Sequence, residues 1–186
     1  MAKGKNFSAN NVGGKRKKSD FYETPYSITK QILEREELIG SILEPACGGG
    51  AILNLLPKNA VGYDKEKDFL TETEKYDTII TNPPFSIAYG FIQKAKEIAN
   101  HKIIMLLPLS YLHGKKRHDD IWMDKNFPLK CIYVFTRYPM LGEELRPDGK
   151  YKTGMMVYAW YVWEKGWEGE PIIKWIDNND WVLNTK

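Results

Sequence analysis

The stretch Ile42-Leu43-Glu44-Pro45-Ala46-Cys47-Gly48-Gly49-Gly50-Ala51 decides the fold. Ile42–Leu43 is a short apolar run that enters a loop of three consecutive glycines. Ala51–Leu56 then reads as helical until Pro57 stops it. Strand, glycine loop and helix in that order open a parallel α/β sheet. Glycines after a strand let the backbone turn sharply and let a ligand approach closely. A triple glycine also serves as a plain tight turn. The dinucleotide fingerprint fits poorly, because Glu44-Pro45 precedes the glycines and the following helix is short.

The pattern continues in both directions. Upstream, Thr24 is placed to cap a helix with Pro25 in its first turn. Ile28, Ile32 and Leu33 give that helix one apolar face, and Gly40 ends it. Downstream, Ala60–Tyr63 reads as a strand with Asp64 at its carboxyl end, and Thr78–Thr81 as a strand entering Asn82-Pro83-Pro84-Phe85. Ser86–Ala99 has helical spacing, with Phe91, Ile92, Ala95 and Ile98 on one face. Ile103–Leu107 is a buried strand ending at Pro108, and a short helix is expected over Asp119–Asp124. Ile132–Phe135 and Met155–Trp163 are strands joined by a polar hairpin, and Ile172–Ile176 is a last strand. Trp160, Trp163, Trp167 and Trp175 read as core and edge packing rather than base platforms. The fold class is therefore α/β: a single-domain, Rossmann-like, mostly parallel sheet with an antiparallel C-terminal hairpin. Ligands of such sheets bind beyond the carboxyl ends of the strands. Cys47, Asp64, Asn82 and Pro108 all fall at such ends.

Composition sets the bounds. The chain of 186 residues is 42% hydrophobic and 13% aromatic, enough for a substantial core. No apolar run approaches the roughly 18 residues of a membrane helix, and the basic N-terminus lacks the apolar centre of a signal peptide. A soluble, cytoplasmic protein without membrane partners is expected. Cys47 and Cys131 match no zinc-ligand spacing, so no metal is expected. The net charge is +3, but residues 1–18 carry Lys3, Lys5, Lys15, Arg16, Lys17 and Lys18 and no acid, which leaves −3 for the remainder. Residues 1–19 are thus a basic flexible arm, either a solvated tail or a segment that touches phosphates.

Asn82-Pro83-Pro84-Phe85 is the strongest chemical signal. Each proline biases the residue before it to extended backbone, so the strand runs into a rigid loop. Neither proline has an N–H, and the loop offers mainly acceptors: the Asn82 side-chain oxygen and the Pro83 carbonyl. An aromatic ring follows at once. Acceptors beside a ring suit a planar group bearing an NH₂. Asp64 suits ribose hydroxyls; its plain alternative is a turn residue in Asp64-Lys65-Glu66-Lys67.

In these residues the chain resembles the N6-adenine-specific DNA methyltransferases, especially the small phage-type enzymes. Asp20-Phe21-Tyr22-Glu23-Thr24-Pro25 is similar to that family's N-terminal cofactor motif. Leu43 to Gly50 is similar to its glycine motif, Asp64 to its ribose-binding acid, and Asn82–Phe85 to its catalytic motif. The order resembles the gamma arrangement. The resemblance implies a class I methyltransferase fold with a seven-stranded sheet, S-adenosylmethionine as cofactor and S-adenosylhomocysteine as product. It places Tyr22, Thr24, Pro25, Glu44, Pro45, Ala46, Cys47, Gly48, Asp64, Asp68, Phe69 and Asn82 around the cofactor, with Asp68 on its adenine amino group and Phe69 against its ring. It gives catalysis to Asn82, Pro83, Pro84 and Phe85, with the target base flipped out of the helix. Only three residues separate Asp64 from Asp68, so a helix usual in that family is missing here.

The resemblance also implies a target-recognition domain, yet only about twenty residues follow Trp163, too few for one. Residues 20–186 are expected to form the catalytic domain alone. Two loops then become candidates for nucleic-acid contact beside Lys15, Arg16, Lys17 and Lys18. One is His113–His118 with Lys115, Lys116 and Arg117; the other is Arg137–Tyr151 with Arg137 and Tyr138. The favoured partner is DNA. Rival readings are adenine methylation of RNA, glutamine methylation of protein, and a non-catalytic cofactor- or nucleic-acid-binding subunit. For the arm, a chain lacking residues 1–18 should bind DNA with a salt dependence shallower by up to about 5 in log–log slope, and bind cofactor unchanged. An identical slope would make the arm a passive tail.

Overall fold

β1 (Ile42–Glu44) is three residues long, yet it has a parallel partner on each side: β2 (Val61–Gly62) and β3 (Tyr76–Thr81). A computed structural model of the chain describes residues 24–137 and 157–177. The sheet continues through β4 (Ala99–Pro108), β5 (Leu129–Phe135), β6 (Tyr158–Glu164) and β7 (Ile172–Ile176) in the order β2-β1-β3-β4-β6-β5-β7. β6 runs antiparallel to both its neighbours, and β7 runs parallel to β5. The expected mostly parallel, seven-stranded α/β sheet is what forms.

Both faces of the sheet are covered, which is why its central strands read as continuous apolar runs. Ile42, Ile80, Ile104, Leu106, Trp160 and Val162 cluster with Ile28 and Ile32 of α1 (Tyr26–Leu33). The alternate residues Leu43, Ile79, Ile103, Met105, Leu107, Tyr161 and Trp163 cluster with Phe91, Ile92, Ala95 and Ile98 of α2 (Ala88–Ile98). The buried Trp160 indole donates to the Ile28 carbonyl at 3.2 Å and ties α1 to the sheet. Trp122 stacks on Trp163 at 5.9 Å on the other face.

Local structure departs from expectation in several places. Thr24 does not cap α1; the N-cap is Pro25, in extended conformation, and Thr24 uses its hydroxyl elsewhere. The helix ends at Leu33, well before Gly40. After the glycines only a 3-10 turn, Leu53–Leu55, forms, because Pro57 leaves too few residues for a full helix. Ala99 begins β4 instead of ending α2. The short helix expected at Asp119–Asp124 is instead a turn of α-helix at Lys115–Arg117 followed by a π turn at His118–Trp122. Trp160 and Trp163 are fully buried, but Trp175 is 68% exposed, since β7 is an edge strand with a neighbour on one side only. Most of the hairpin between β5 and β6 lies outside the described residues.

Away from the carboxyl ends of the strands, Lys102 and Glu36 form an ion pair of 2.9 Å, and both are buried. Glu36 also accepts from the Tyr133 hydroxyl at 2.7 Å, and Lys102 donates to the Glu37 carbonyl at 3.0 Å. Removing one partner strands a buried charge. Lys102→Met should therefore lower unfolding free energy in urea by about 3–5 kcal/mol. Lys115→Met, which breaks an exposed pair with Asp119, should cost less than about 0.5 kcal/mol. Equal effects would show that the buried cluster contributes no more than a surface pair.

Candidate active site

Because β2, β1, β3 and β4 are mutually parallel, their carboxyl ends share one edge. The chain crosses from β2 over β1 to β3, so the reversal of strand order lies at β1, where open α/β sheets hold ligands. The glycine turn leaves β1, Asp64 follows β2, and Asn82–Phe85 leaves β3. β6 enters the sheet at the same edge, with Tyr158 opposite Pro108.

The glycine turn is closed by its own backbone. Gly50 N–H donates to the Cys47 carbonyl at 2.6 Å, and Cys47 N–H to the Tyr63 carbonyl at 3.0 Å. Gly48 (φ +49°) and Gly50 (φ +80°) both lie in the left-handed region, where a side chain would be strained. Glu44, the last residue of β1, is 1% exposed. Its Oε2 has no hydrogen-bond partner among the described residues. Burial pushes its carboxyl up to about 8; the Leu53 N–H pulls the other way, and the charge of Asp64 pushes up again. The same burial, with the negative charges of Glu44, Asp64 and Glu66, raises the Cys47 thiol, so Cys47 is a poor nucleophile. Cys47 and Cys131 are both free thiols.

Asp64 is half-buried, and its N–H is held by Glu66 Oε1 at 2.8 Å. The segment after it holds a single 3-10 turn before β3, and Glu72 fastens it. The buried Glu72 carboxylate accepts from Tyr63 Oη at 2.8 Å and pairs with Lys67 at 2.6 Å. Burial alone would raise that carboxyl, but the bonds from Lys67, Tyr63 and the Glu74 and Thr73 N–H groups outweigh it and hold it at about 2. Asp68 caps a 3-10 turn, accepting from Leu70 N–H at 3.0 Å. Phe69 is 2% exposed and packs on Phe91, ring centroids 4.8 Å apart.

In the proline loop, Pro83 is buried and Asn82, Pro84 and Phe85 are half-buried. The Asn82 amide nitrogen donates to Thr24 Oγ1 at 3.0 Å. Phe85 stacks on Tyr158 at 5.5 Å with the rings 28° apart. Sequence reasoning missed Tyr158; the only signal was an aromatic within the Met155–Trp163 run. It also missed the tie between Thr24 and Asn82, for which no local pattern exists.

The basic segment after β4 is partly occupied with its own structure. Arg117 Nε donates to the Tyr111 carbonyl at 2.8 Å, and its guanidinium also meets the His113 carbonyl. Lys115 pairs with Asp119, and Lys116 lies over the Tyr89 ring at 4.2 Å. Arg137 is exposed after β5. Lys15, Arg16, Lys17, Lys18, Tyr22 and Tyr138 lie outside the described residues. Among the described residues, no helix is long and apolar enough to cross a membrane.

The sequence matches no family model and none of the curated proteins. The structure is similar to several solved methyltransferases. The type I restriction enzyme EcoKI M protein matches with a TM-score of 0.59 at 13% identity, over 82% of this chain and 45% of that one. A putative RNA methyltransferase from Pyrococcus horikoshii matches with a TM-score of 0.52 at 15% identity, over 77% and 86%. Magnesium protoporphyrin IX methyltransferase from Synechocystis PCC 6803, with bound SAM, matches with a TM-score of 0.50 at 15% identity, over 75% and 77%. At these identities the likeness is one of fold: the chain has the Rossmann-like α/β fold of S-adenosylmethionine-dependent methyltransferases.

Proposed function

We propose that the chain transfers a methyl group from S-adenosylmethionine to the N6 amino group of adenine in DNA. The observation that carries this reading is the position of Asn82-Pro83-Pro84-Phe85. It leaves β3 directly beside the glycine turn that leaves β1. The residues at the edge fit the cofactor. A buried carboxyl with an unsatisfied oxygen, at the lip of a glycine turn, calls for a cationic ligand. Glu44 would meet the cofactor's positive amino acid end, Pro45–Gly48 would wrap it, and Asp64 would accept from its ribose hydroxyls. Thr24 and Pro25 would border it, Asp68 would take its adenine amino group, and Phe69 would back that wall from inside the core. When bound, the cofactor supplies a methyl group on a positively charged sulfur.

The chain's own groups address the amine. The adenine amino nitrogen is conjugated with its ring and is a poor nucleophile. The Asn82 oxygen and the Pro83 carbonyl accept its hydrogens and favour a pyramidal nitrogen with an available lone pair. Phe85, backed by Tyr158, offers the base a flat apolar surface. Lys116 and Arg137, with the N-terminal arm, would contact phosphates. A restriction-enzyme M protein among the structural neighbours is in keeping with a DNA substrate.

Two outcomes follow. Asn82→Ala should raise the single-turnover methyl-transfer barrier by about 2.7–4 kcal/mol, far more than it weakens cofactor binding. Phe85→Ala should weaken both rate and target affinity, and Phe85→Trp should retain activity. Full activity in a folded Asn82→Ala protein would sink the mechanism. The second outcome is a pH dependence. The raised carboxyl of Glu44 keeps its proton in the cofactor-free protein up to about pH 8. A bound cation favours the ionised form, so binding below that pH releases a proton. Affinity measured by calorimetry should rise by up to about tenfold per pH unit toward the raised value, and fall again where the cofactor's own amino group loses its proton. Glu44→Gln should bind weakly and without that slope. A flat profile in the unmodified chain would remove Glu44 from the cofactor's surroundings.

A further inference from the structure

The loop between β2 and β3 carries Asp64 and Asp68, and its one regular piece is the 3-10 turn Phe69–Thr71. A loop without a ladder of backbone bonds takes its shape from side-chain contacts. Glu72 supplies most of them. It is 4% exposed, and its carboxylate collects four donors. Oε2 accepts from Tyr63 Oη at 2.8 Å and from Lys67 Nζ at 2.6 Å. Oε1 accepts from the Thr73 and Glu74 N–H groups at 3.0 and 3.1 Å.

These contacts bracket the turn. Lys67 stands just before Asp68, which caps the turn by accepting from Leu70 N–H. Glu72 stands at the other end, where its own N–H donates to the Phe69 carbonyl at 3.1 Å. The Lys67–Glu72 pair thus joins the two ends of the segment that Asp68 opens. An ammonium only donates and an ionised carboxylate only accepts, so this contact has a single sense. The closed turn is pinned from two sides. Tyr63 ties Glu72 to the end of β2, and Lys94 of α2 donates to the Glu72 carbonyl at 3.2 Å. Phe69, packed on Phe91, seats the turn against α2. Asp68 itself stays exposed.

We propose that the Lys67–Glu72 pair is a positioning device that holds the Asp68 carboxylate where it meets the adenine amino group of the cofactor. This rests on the cofactor reading given above and adds two residues to that site. Lys67 and Glu72 act through the turn and not by touching the adenine. An acceptor fixed in advance binds more tightly than one that must be ordered by its ligand. Opening the pair leaves Asp68 in the chain but no longer fixed.

The probe is the analogue of S-adenosylhomocysteine in which hydrogen replaces the adenine amino group. It keeps the ribose and the amino acid end and loses only the donor that Asp68 would accept. The ratio of the two affinities, by calorimetry on the full chain, reads the placement of Asp68 and cancels losses common to both ligands. Lys67→Met, Lys67→Arg and Glu72→Gln are compared. Lys67 is exposed, so its variants keep the core and remain readable if Glu72→Gln fails to fold. The unmodified chain should prefer S-adenosylhomocysteine by about tenfold or more, the scale of a bond to a charged acceptor. In Lys67→Met and Glu72→Gln the preference should fall below about threefold. Lys67→Arg, which keeps a charged donor for Glu72, should stay within about twofold of the unmodified ratio. Equal losses for the two ligands in Lys67→Met would show that the pair only stabilises the fold, and overturn the inference. So would equal ratios in Lys67→Arg and Lys67→Met, or a preference already absent from the unmodified chain. An unmodified chain that binds neither ligand would overturn the cofactor reading, and this inference with it.

Discussion

Parallel pairing of β1 with β2 and β3 is the constraint on which the rest of the molecule depends. Parallel strands send their carboxyl ends the same way, so whatever follows them is delivered to one edge. At β1 the connections leave in opposite directions, and the loops part there. Three residues of strand suffice because Leu43 is wholly buried and both neighbours bond to it. Had β2 or β3 run the other way, Asp64 or the proline loop would stand at the far end of the sheet. Coverage of both faces, by α1 and by α2, then makes that edge the place where the loops of the parallel strands meet solvent.

The chemistry gathered there is consistently that of acceptors. Glu44 is a buried carboxyl with an oxygen left over, Asp64 a half-buried one, and the two prolines remove N–H groups from the loop that carries Asn82. Such an edge favours a ligand that is cationic or rich in N–H and O–H donors. Positive charge is supplied separately, on the segment after β4. That segment spends part of its charge on itself: Arg117 closes its own loop through the Tyr111 and His113 carbonyls, and Lys115 faces Asp119.

The strands were legible in the sequence because burial on both faces demands apolar runs such as Ile103–Leu107. The proline loop was legible because two consecutive prolines dictate backbone shape without help from the rest of the chain. The glycine turn was legible as a turn, but the helix expected after it at Ala51–Leu56 shrinks to a 3-10 turn, since the span to Pro57 is too short. What stayed hidden depends on distance. Nothing near Thr24 announces Asn82, and nothing near Phe85 announces Tyr158; only the sheet order brings those pairs together. Trp175 was assigned to packing on composition, and its exposure follows from β7 being at the edge, a fact of topology. The charges of residues 115–117 looked uniform in sequence, while the structure gives each a different partner.

In the proposed function, the proline loop presents acceptors to an adenine amine beside a bound methyl donor. The most direct measurement is mass spectrometry of nucleosides from DNA, RNA and protein incubated in parallel with the chain and isotopically labelled S-adenosylmethionine. Labelled N6-methyladenine is expected in the DNA digest. Label in cytosine, label only in RNA or protein, or no transfer by the folded, cofactor-binding chain would contradict it.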